Sequence, residues 1–598
     1  MKQFLQIGLV LLVGSSFLPG QDFERIKPKT PPGRAPAAQL PVPKGVEATE
    51  SDEVIIPQLR GLLIIGATND YSPQGVEGIT GLKVKGPEIL KKEDFKRVVA
   101  PFLGRPVSNR TIKELQRDII LYCRDNDYPI IDAYYPIQEV ENGVLQMVVL
   151  VSKLGKVNVD NPGKQWFSTN FVRRNVRLQP GEPVRESKLL QDVNWLNRNP
   201  FFRDVNVAFK QGELGATDVD LRVQDRFPLR PYAGVDDTGN LIVGDFRVFG
   251  GFNWGNAFGL DHQFNYQYTS DIDFKFFKAH SASYVIPLPW RHAITLFGSY
   301  SKYEADLAAI GFAPLEQDGT SYQASMRYTV PLPRIKRLNH EVSVGFDYKG
   351  SDFRVQFDRN PVFNTPTQIG QGVLGYRAMA SDPFGATSFG AEGYYSPGGL
   401  FPDNNDASFA RTRPGASADY FYGRFDVERG TKLPVTSDWR KKSLEECFAW
   451  VLRGTLQLAN GNLLPSEQQG IGGYGTVRGY DERLANGDTG WVVNNEIRTP
   501  AYRLVKIRHL TDDVAVTNGV ATLQFLGFVD YGAVQLADPT PGFDPHATLI
   551  STGAGLRLNF ARNFAVRFDY GFQLTEKQLS QQFGRNTSRA HFSAILSF

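Results

Sequence analysis

The sequence predicts a membrane all-β protein, a 16-stranded antiparallel transmembrane β-barrel preceded by two small periplasmic α+β domains. Three observations support this prediction. The chain begins with a short apolar segment typical of exported proteins. Residues 53–226 contain two copies of one mixed helix and strand pattern. From residue 229 to residue 598, strand-like runs of about ten residues alternate with turn clusters.

Residues 1–20, "MKQFLQIGLVLLVGSSFLPG", have the layout of a secretory signal peptide. Lys2 precedes an apolar run from Phe4 to Val13, and small residues follow near Gly20. A buried N-terminal helix is the alternative, but Pro- and Gly-rich sequence follows at once. No later segment offers the roughly twenty consecutive apolar residues of a spanning helix, which excludes a helical membrane protein and predicts export beyond the inner membrane.

The composition excludes several other classes of protein. A net charge of +3 over 598 residues gives no reason to expect a nucleic-acid partner. The two cysteines, Cys123 and Cys447, belong to different predicted domains, so a disulfide framework is not expected. The seven histidines are scattered, so neither a metal site nor a cofactor is predicted. Abundant Gly, Phe and Tyr with only 4 Met favour β structure with many turns.

Residues 21–52 are dominated by "KPKTPPGRAPAAQLPVPKG". Such a proline-rich stretch is extended and cannot build a core of its own. We therefore expect a periplasmic linker over residues 21–52.

The repeat divides into a first domain at residues 53–152 and a second at residues 153–226. Each copy is predicted to contain a strand, a helix, a G-x-P-V turn, a second helix and two more strands; the turns are "GRPV" at Gly104 and "GEPV" at Gly181. Two such units in tandem resemble POTRA domains. Two unrelated α+β folds are the alternative, which explains the shared turn less well.

Residues 229–598 alternate apolar and polar side chains, as in "AVRFDYGFQL". A soluble β-sandwich has the same period, but three features favour a transmembrane barrel. The strands number sixteen, an even figure. Short connections such as "SDPFG" alternate with long ones such as "SPGGLFPDNNDASFARTRPGAS". The chain ends in "AHFSAILSF", which resembles the final strand of proteins inserted by the outer-membrane assembly machinery.

The stretch "GIGGYGTVRGYDERLANGDTG", Gly470–Gly490, begins with a G-x-G-x-x-G spacing. A dinucleotide site would need a buried strand before these glycines and a helix after them. The preceding "NLLPSEQQ" is polar and the following residues carry no apolar stripe of helical period. We therefore interpret the stretch as a structured, glycine-rich loop between the eleventh and twelfth barrel strands.

A second motif, F-x-D-x-G, occurs on the predicted thirteenth strand as Phe528, Asp530 and Gly532. These residues have the parity opposite to that of the apolar Phe525 and Val529 (and of Ala533), so the alternation itself points Asp530 into the lumen.

Two POTRA-like units, a sixteen-stranded barrel and "VRGY" at Val477–Tyr480 together resemble the two-partner secretion transporters, the TpsB proteins of the haemolysin secretion/activation type within the POTRA-containing barrel superfamily. The resemblance implies that the loop folds back into the barrel and that Arg478 pairs with Asp530, locking loop to wall. A guanidinium and a carboxylate can pair in a bidentate way that a lysine would not reproduce. The residues implied to support this lock are Val477, Gly479, Tyr480, Phe528 and Gly532. The alternative is that Arg478 and Asp530 are independent solvated charges.

The function that this resemblance implies is translocation of an unfolded partner exoprotein from the periplasm to the surface of a Gram-negative cell. The POTRA domains would recognise the exoprotein, and the barrel would contact outer-membrane lipid, insert with the help of the barrel assembly machinery and act as a monomer. No P-loop occurs, so folding of the exoprotein outside the cell would drive export. Residues 352–419 are longer and more aromatic than the simplest family members need.

Three other functions are alternatives to this one. An assembly factor that inserts other barrels commonly carries more than two POTRA units. A passive porin would lack the periplasmic units. A barrel-borne enzyme is not supported, because the sequence contains no G-x-S-x-G, H-E-x-x-H or close histidine pair.

Overall fold

The computed structural model describes most of the chain outside its N-terminal region. The described residues are 26–29, 52–140, 142–198, 202–213, 215–239, 243–306, 315–335, 337–357, 360–435, 438–506, 520–539, 544–560, 563–575 and 587–598. The chain divides into two compact units, one of residues 33–227 and the other of residues 1–32 together with 228–598. The predicted signal peptide lies outside the described residues.

The first α+β domain is a four-stranded sheet with two helices packed on it. Its elements are β1 (Val54–Ile56), β2 (Gly61–Ile65), β3 (Gly81–Lys85), α1 (Glu93–Val99), β4 (Val107–Ser108), α2 (Asn109–Asp125), β5 (Ile131–Tyr134) and β6 (Val144–Val151). The strand order is β3-β2-β6-β5, with β2 parallel to both of its neighbours. Strand β3 is an addition to the order of elements predicted from the sequence.

Helix α2 shows why this segment is helical. The side chain of Ser108 caps its N-terminus by accepting a hydrogen bond from the backbone N–H of Thr111 at 3.4 Å. The buried residues recur at helical spacing and form one face; they are Ile112, Leu115, Ile119 and Cys123. Burial raises the pKa of the Cys123 thiol to about 12, so this cysteine is an inert part of the core.

The second α+β domain is a three-stranded sheet, again with two helices. Its elements are β7 (Lys153–Asp160), α3 (Thr169–Arg174), α4 (Glu186–Leu196), β8 (Arg203–Gln211) and β9 (Ala216–Asp225). The strand order is β7-β9-β8. Its core, which includes Leu154, Val193 and Leu221, is separate from the core of the first domain.

The two G-x-P-V turns make the same contacts in the two domains. The backbone N–H of Gly104 donates to the Leu59 carbonyl and the Leu59 N–H donates to the Arg105 carbonyl, at 2.8 and 2.9 Å. In the second domain Gly181 and Leu154 form the equivalent pair of hydrogen bonds, with Leu154 donating to Glu182. Both glycines have positive φ, +77° and +87°, a region that favours glycine. The internal repeat seen in the sequence is therefore a repeat of structure.

The third part of the chain is a closed antiparallel β-barrel. Its elements are β10 (Leu229–Asp236), β11 (Arg247–Ala257), β12 (His262–Asp271), β13 (Phe277–Pro287), β14 (Ala293–Asp306), β15 (Leu315–Pro331), β16 (Leu338–Phe357), β17 (Asn360–Asp382), β18 (Gly385–Pro397), α5 (Asp406–Thr412), β19 (Asp419–Lys432), β20 (Ala449–Ala459), β21 (Gln469–Ile471), β22 (Ala485–Gly487), β23 (Thr489–Arg498), β24 (Tyr502–Lys506), β25 (Val520–Gln535), β26 (His546–Phe560), β27 (Phe564–Gln573) and β28 (Ser588–Ser597).

Sixteen strands form the barrel wall, as predicted. Each strand from β10 to β19 pairs with the next, and β20 pairs with β23. Each strand from β25 to β27 pairs with the next, and β28 closes the barrel by pairing with β10. Strands β23 and β24 pair with successive parts of β25 and so act as one wall strand, interrupted around Pro500. Strands β21 and β22 pair only with each other and are not part of the wall.

The two faces of the wall differ in polarity, as the alternation predicts. Apolar side chains such as Val344, Leu374 and Ile497 are more than half exposed on the outer face. Polar side chains such as Gln267 and Gln371, each at 0 to 1% exposure, point inward. The arrangement is inverted relative to a soluble sandwich and suits a barrel surrounded by lipid. Among the described residues, no helix combines the length and the hydrophobicity needed to cross a membrane.

Residues 26–29 contact the inner face of the barrel wall. The backbone N–H of Lys29 donates to the Tyr232 hydroxyl and to the side-chain oxygen of Gln267, both at 3.1 Å. Ile26 is buried and its carbonyl accepts a hydrogen bond from Ser281. The predicted periplasmic linker therefore does not extend over these four residues, because the polar lumen provides the partners that an extended segment lacks by itself.

The long connection between β18 and β19, residues 398–418, packs against residues 463 and 464. It contains α5, and Phe409 of this helix is fully buried in a cluster with Leu463 and Leu464. The side chain of Asn405 caps the helix by accepting from the Ser408 N–H at 3.0 Å. The segment 352–419, unusual in the sequence, thus contains the end of β16, the strands β17 and β18, and a packed outer loop.

Candidate functional site

The loop between β20 and β23, residues 460–488, lies inside the barrel, and we call it the lumenal loop. Its β21–β22 hairpin contains Gly470, the first glycine of the G-x-G-x-x-G spacing. Turns, not a helix, follow these glycines. Residues 460–498 therefore contain no helix N-terminus to receive a pyrophosphate, which rules out a dinucleotide site here.

The side chain of Arg478 meets Asp530 of β25 in a bidentate pair. Its Nε donates to Asp530 Oδ2 at 2.7 Å and its Nη2 donates to Oδ1 at 2.8 Å. The backbone N–H of Arg478 adds a third hydrogen bond to Oδ2 at 3.1 Å. Both side chains are buried, with 2% and 0% exposure. The guanidinium also stacks on Phe528, its Cζ 3.6 Å from the ring centroid.

Two further carboxylates surround the same guanidinium. Arg478 Nη1 donates to Glu496 Oε1 at 2.8 Å, and it lies 3.6 Å from Asp569 Oδ2. Asp569 is shared with Arg557 and Arg567, each at 2.7 Å. Three carboxylates from three different wall strands therefore face one arginine of the loop, in a network buried from water.

Gly479 passes close to the wall at a point where no side chain fits. A Cβ on Gly479 would lie 2.9 Å from the backbone carbon of Gly571, and the glycine has a φ of +91°. Its N–H donates to His591 Nε2 at 3.0 Å. The Nδ1 of His591 lies 2.7 Å from Asp237 Oδ2, an arrangement that fits an imidazole donating from Nδ1 and accepting at Nε2.

The first and last residues of the VRGY motif, Val477 and Tyr480, also contact the wall. Val477 is fully buried, and Gly532 leaves room for it, because a Cβ there would lie 2.8 Å from Val477 Cγ2. The Tyr480 hydroxyl donates to the Ile550 carbonyl at 2.8 Å and lies 2.6 Å from Thr575 Oγ1. All seven residues singled out in the sequence thus lie in one contact region.

The outer end of the lumenal loop is bound to two other outer loops. Asp488 is fully buried and accepts from Arg413 of the β18–β19 loop, with Nη2 to Oδ2 at 2.7 Å. It also accepts from the backbone N–H groups of Leu463 and Ala537, both at 2.9 Å. This one carboxylate joins the lumenal loop to the β18–β19 loop and to the β25–β26 loop.

Sequence reasoning missed Glu496, Asp569, His591 and Glu467. Asp569 carries a usable signal, since it has polar parity in "AVRFDYGFQL". Nothing local in the sequence indicates the contacts of the other three, because these contacts depend on strand register and loop path. Among the described residues, no group of three or more His, Cys, Asp and Glu side chains is arranged to hold a metal ion.

Comparisons with known proteins agree with this architecture. The family described as haemolysin secretion/activation protein ShlB/FhaC/HecB matches residues 215–359 and 368–558, and the ShlB-type POTRA domain matches residues 78–151. The heme/hemopexin transporter protein HuxB of Haemophilus influenzae is 21% identical over 524 residues, 84% of this chain and 85% of its own. The outer membrane transporter CdiB of Dickeya dadantii is 21% identical over 496 residues, 79% and 82% of the two chains.

Solved structures show the same fold. CdiB from Escherichia coli superposes with a TM-score of 0.68 at 15% identity, covering 93% of this chain and 94% of that one. CdiB from Acinetobacter baumannii gives 0.60 at 17% identity, with 100% and 98% covered. The family model spans more than half of the chain, which confirms the predicted family and outer-membrane location. The chain belongs to the ShlB/FhaC/HecB haemolysin secretion/activation family of outer-membrane protein transporters, β-barrels that carry POTRA domains on the periplasmic side.

Proposed function

We propose that this protein translocates an unfolded partner exoprotein from the periplasm to the cell surface, and that the Arg478–Asp530 contact holds the lumenal loop in the secretion-competent barrel. The observation that carries the proposal is a polar barrel lumen containing a loop whose buried arginine pairs with a wall carboxylate. Such a loop can move only if that contact is exchanged for others, so it is suited to a gated passage. The relatives described as transporters, HuxB and CdiB, support the same assignment.

The partner would be recognised by the two α+β domains. The strands at the edges of their sheets are β3 and β5 in the first domain and β7 and β8 in the second. An extended segment can add to such an edge through main-chain hydrogen bonds, with side-chain pockets giving selectivity. An unfolded exoprotein offers many segments of this kind, whereas a folded protein offers few. Insertion by the barrel assembly machinery and function as a monomer stay predictions from the sequence.

A secretion assay in a heterologous host tests this proposal. The protein is co-expressed in a Gram-negative host with the exoprotein encoded beside it, and the exoprotein in the medium is measured by immunoblot. We expect secretion that depends on this protein, with exoprotein held in the periplasm or degraded when it is absent. Unchanged secretion without it would contradict the proposal. If its loss instead lowers the amounts of unrelated barrels, the protein is an assembly factor.

Cysteine labelling on intact cells tests the topology. Ala407 lies exposed in α5 on a long connection, and Pro289 lies exposed in the short turn between β13 and β14. A membrane-impermeant maleimide should label Ala407→Cys, but Pro289→Cys only after lysis. The native thiols give little background, since Cys123 and Cys447 are both buried. Equal labelling of both sites on intact cells would contradict the orientation.

A further inference from the structure

We call residues 460–471 the ascending limb of the lumenal loop and residues 472–484 its tip. Glu467, in the ascending limb, is a buried carboxylate with three side-chain partners on the barrel wall. Lys349 Nζ donates to both of its oxygens, at 2.8 and 2.9 Å. The Tyr422 hydroxyl donates to Oε2 at 2.7 Å, and Gln371 Nε2 donates to the same oxygen at 3.2 Å. The Glu467 side chain has 0% exposure and that of Lys349 has 12%.

These partners are themselves held in place. The Gln371 amide oxygen accepts from the Tyr420 hydroxyl at 2.7 Å, which fixes the amide so that its nitrogen points at Glu467. Tyr422 stacks on Tyr394 with ring centroids 4.5 Å apart. The wall therefore presents ordered donors to the carboxylate of Glu467, and the arrangement is specific for an acceptor at this position.

Glu467 and Arg478 contact different parts of the barrel wall. Lys349, Gln371 and Tyr422 belong to β16, β17 and β19. Asp530, Glu496 and Asp569 belong to β25, β23 and β27. The loop is thus fastened on two sides of the lumen, by side chains on two separate groups of wall strands.

We propose that Glu467 is a second, independent anchor of the lumenal loop, a positioning residue that keeps the ascending limb against β16–β19 while Arg478 keeps the tip against β23–β27. This inference rests on the proposed function, in which the lumenal loop must move to let the partner exoprotein pass. Release of the Arg478 contact alone would leave the ascending limb held across the lumen by Glu467. Full opening therefore requires the Glu467 contacts to be broken as well as those of Arg478.

Spin labels on the ascending limb and on the tip of the lumenal loop test the proposal in the absence of the partner exoprotein. Labels are placed at Ser466→Cys, next to Glu467, and at Gly475→Cys, which is exposed and where a Cβ meets nothing within 4 Å. The background carries Cys123→Ala and Cys447→Ala. We expect Glu467→Gln to increase the mobility of the label at 466 and not that at 475. Arg478→Ala should increase the mobility of the label at 475 and not that at 466.

Two further variants separate an anchor from a general loss of structure. Lys349→Met combined with Glu467→Gln removes both buried charges; it should mobilise the label at 466 no more than Glu467→Gln alone, since one interaction is lost in both cases. Glu304→Gln is the control, because Glu304 forms an exposed pair with Lys302 at 2.6 Å on the wall. Retained heat-modifiable migration in gels shows that each barrel is folded.

Two results would overturn the second anchor. One is an unchanged label at 466 in Glu467→Gln and in the double variant. The other is equal mobilisation of both labels by either Glu467→Gln or Arg478→Ala, because the loop would then move as one unit. Secretion is measured in parallel with the unlabelled chain. If the labels respond as expected but the wild-type chain secretes nothing, the anchor stands and the proposed function fails.

Discussion

Arg478→Ala is expected to reduce secretion of the partner by roughly 100-fold while the barrel still inserts. The substitution leaves Asp530, Glu496 and Asp569 facing one another in a buried region without the guanidinium that joins them to the loop. Removing one partner of a buried ion pair costs about 3–5 kcal/mol, and 2.7 kcal/mol already shifts an equilibrium about 100-fold. The readouts are exoprotein in the medium and transporter at the cell surface, compared in the same cultures.

Asp530→Ala is expected to be milder than Arg478→Ala. Arg478 would keep its hydrogen bond to Glu496 at 2.8 Å, so the loop would stay partly fastened. The double variant Arg478→Ala with Asp530→Ala should be little worse than Arg478→Ala alone, because both changes remove one shared interaction. A charge swap, Arg478→Asp with Asp530→Arg, should recover little, since the new aspartate would face Glu496 and Asp569.

Arg377→Ala is the matched control for these variants. Arg377 also pairs with a carboxylate, Glu392 at 3.1 Å, but it lies on wall strand β17 and its side chain is 70% exposed. An exposed pair of this kind contributes little, so secretion should stay near the wild-type level. Full secretion by both Arg478→Ala and Asp530→Ala would refute the role of the loop contact, and an additive double variant would refute the pairing.

Deletion of residues 53–224 is expected to abolish secretion completely and leave a barrel that conducts ions in planar bilayers. Residues 33–227 form a compact unit with hydrophobic clusters of their own, distinct from those of the barrel unit. Removing them therefore does not open the barrel wall, which closes through β10 and β28. If recognition depends on the α+β domains, the exoprotein no longer binds, and pull-down with the purified variant should recover none.

Retained secretion by the deletion variant would show that the cargo is selected elsewhere, and would contradict the proposed role of these domains. A matched control keeps the α+β domains and removes only the exposed loop segment 399–400 at the outer surface. That variant should bind the exoprotein as the wild type does.

The fold could be predicted from the sequence because its signals are local. A period of two places Asp530 and Val529 on opposite faces of β25 whatever the rest of the chain does, and the structure has them at 0% and 48% exposure. The helix and turn order of the α+β repeat is equally local, since Gly104 and Gly181 are read directly as residues that tolerate positive φ. Residue counting then yields sixteen wall strands and the place of the lumenal loop.

Apart from Asp530, the partners of the loop were decided by tertiary structure alone. Glu496 and Asp569 reach Arg478 only because the registers of β23, β25, β26 and β27 bring three carboxylates within reach of one guanidinium, and a shift of one residue would turn each of them toward lipid. Glu467 meets Lys349 across 118 residues of sequence, a contact that requires closure of the barrel. Alternation determines which face a side chain occupies, whereas register and closure determine what it meets there.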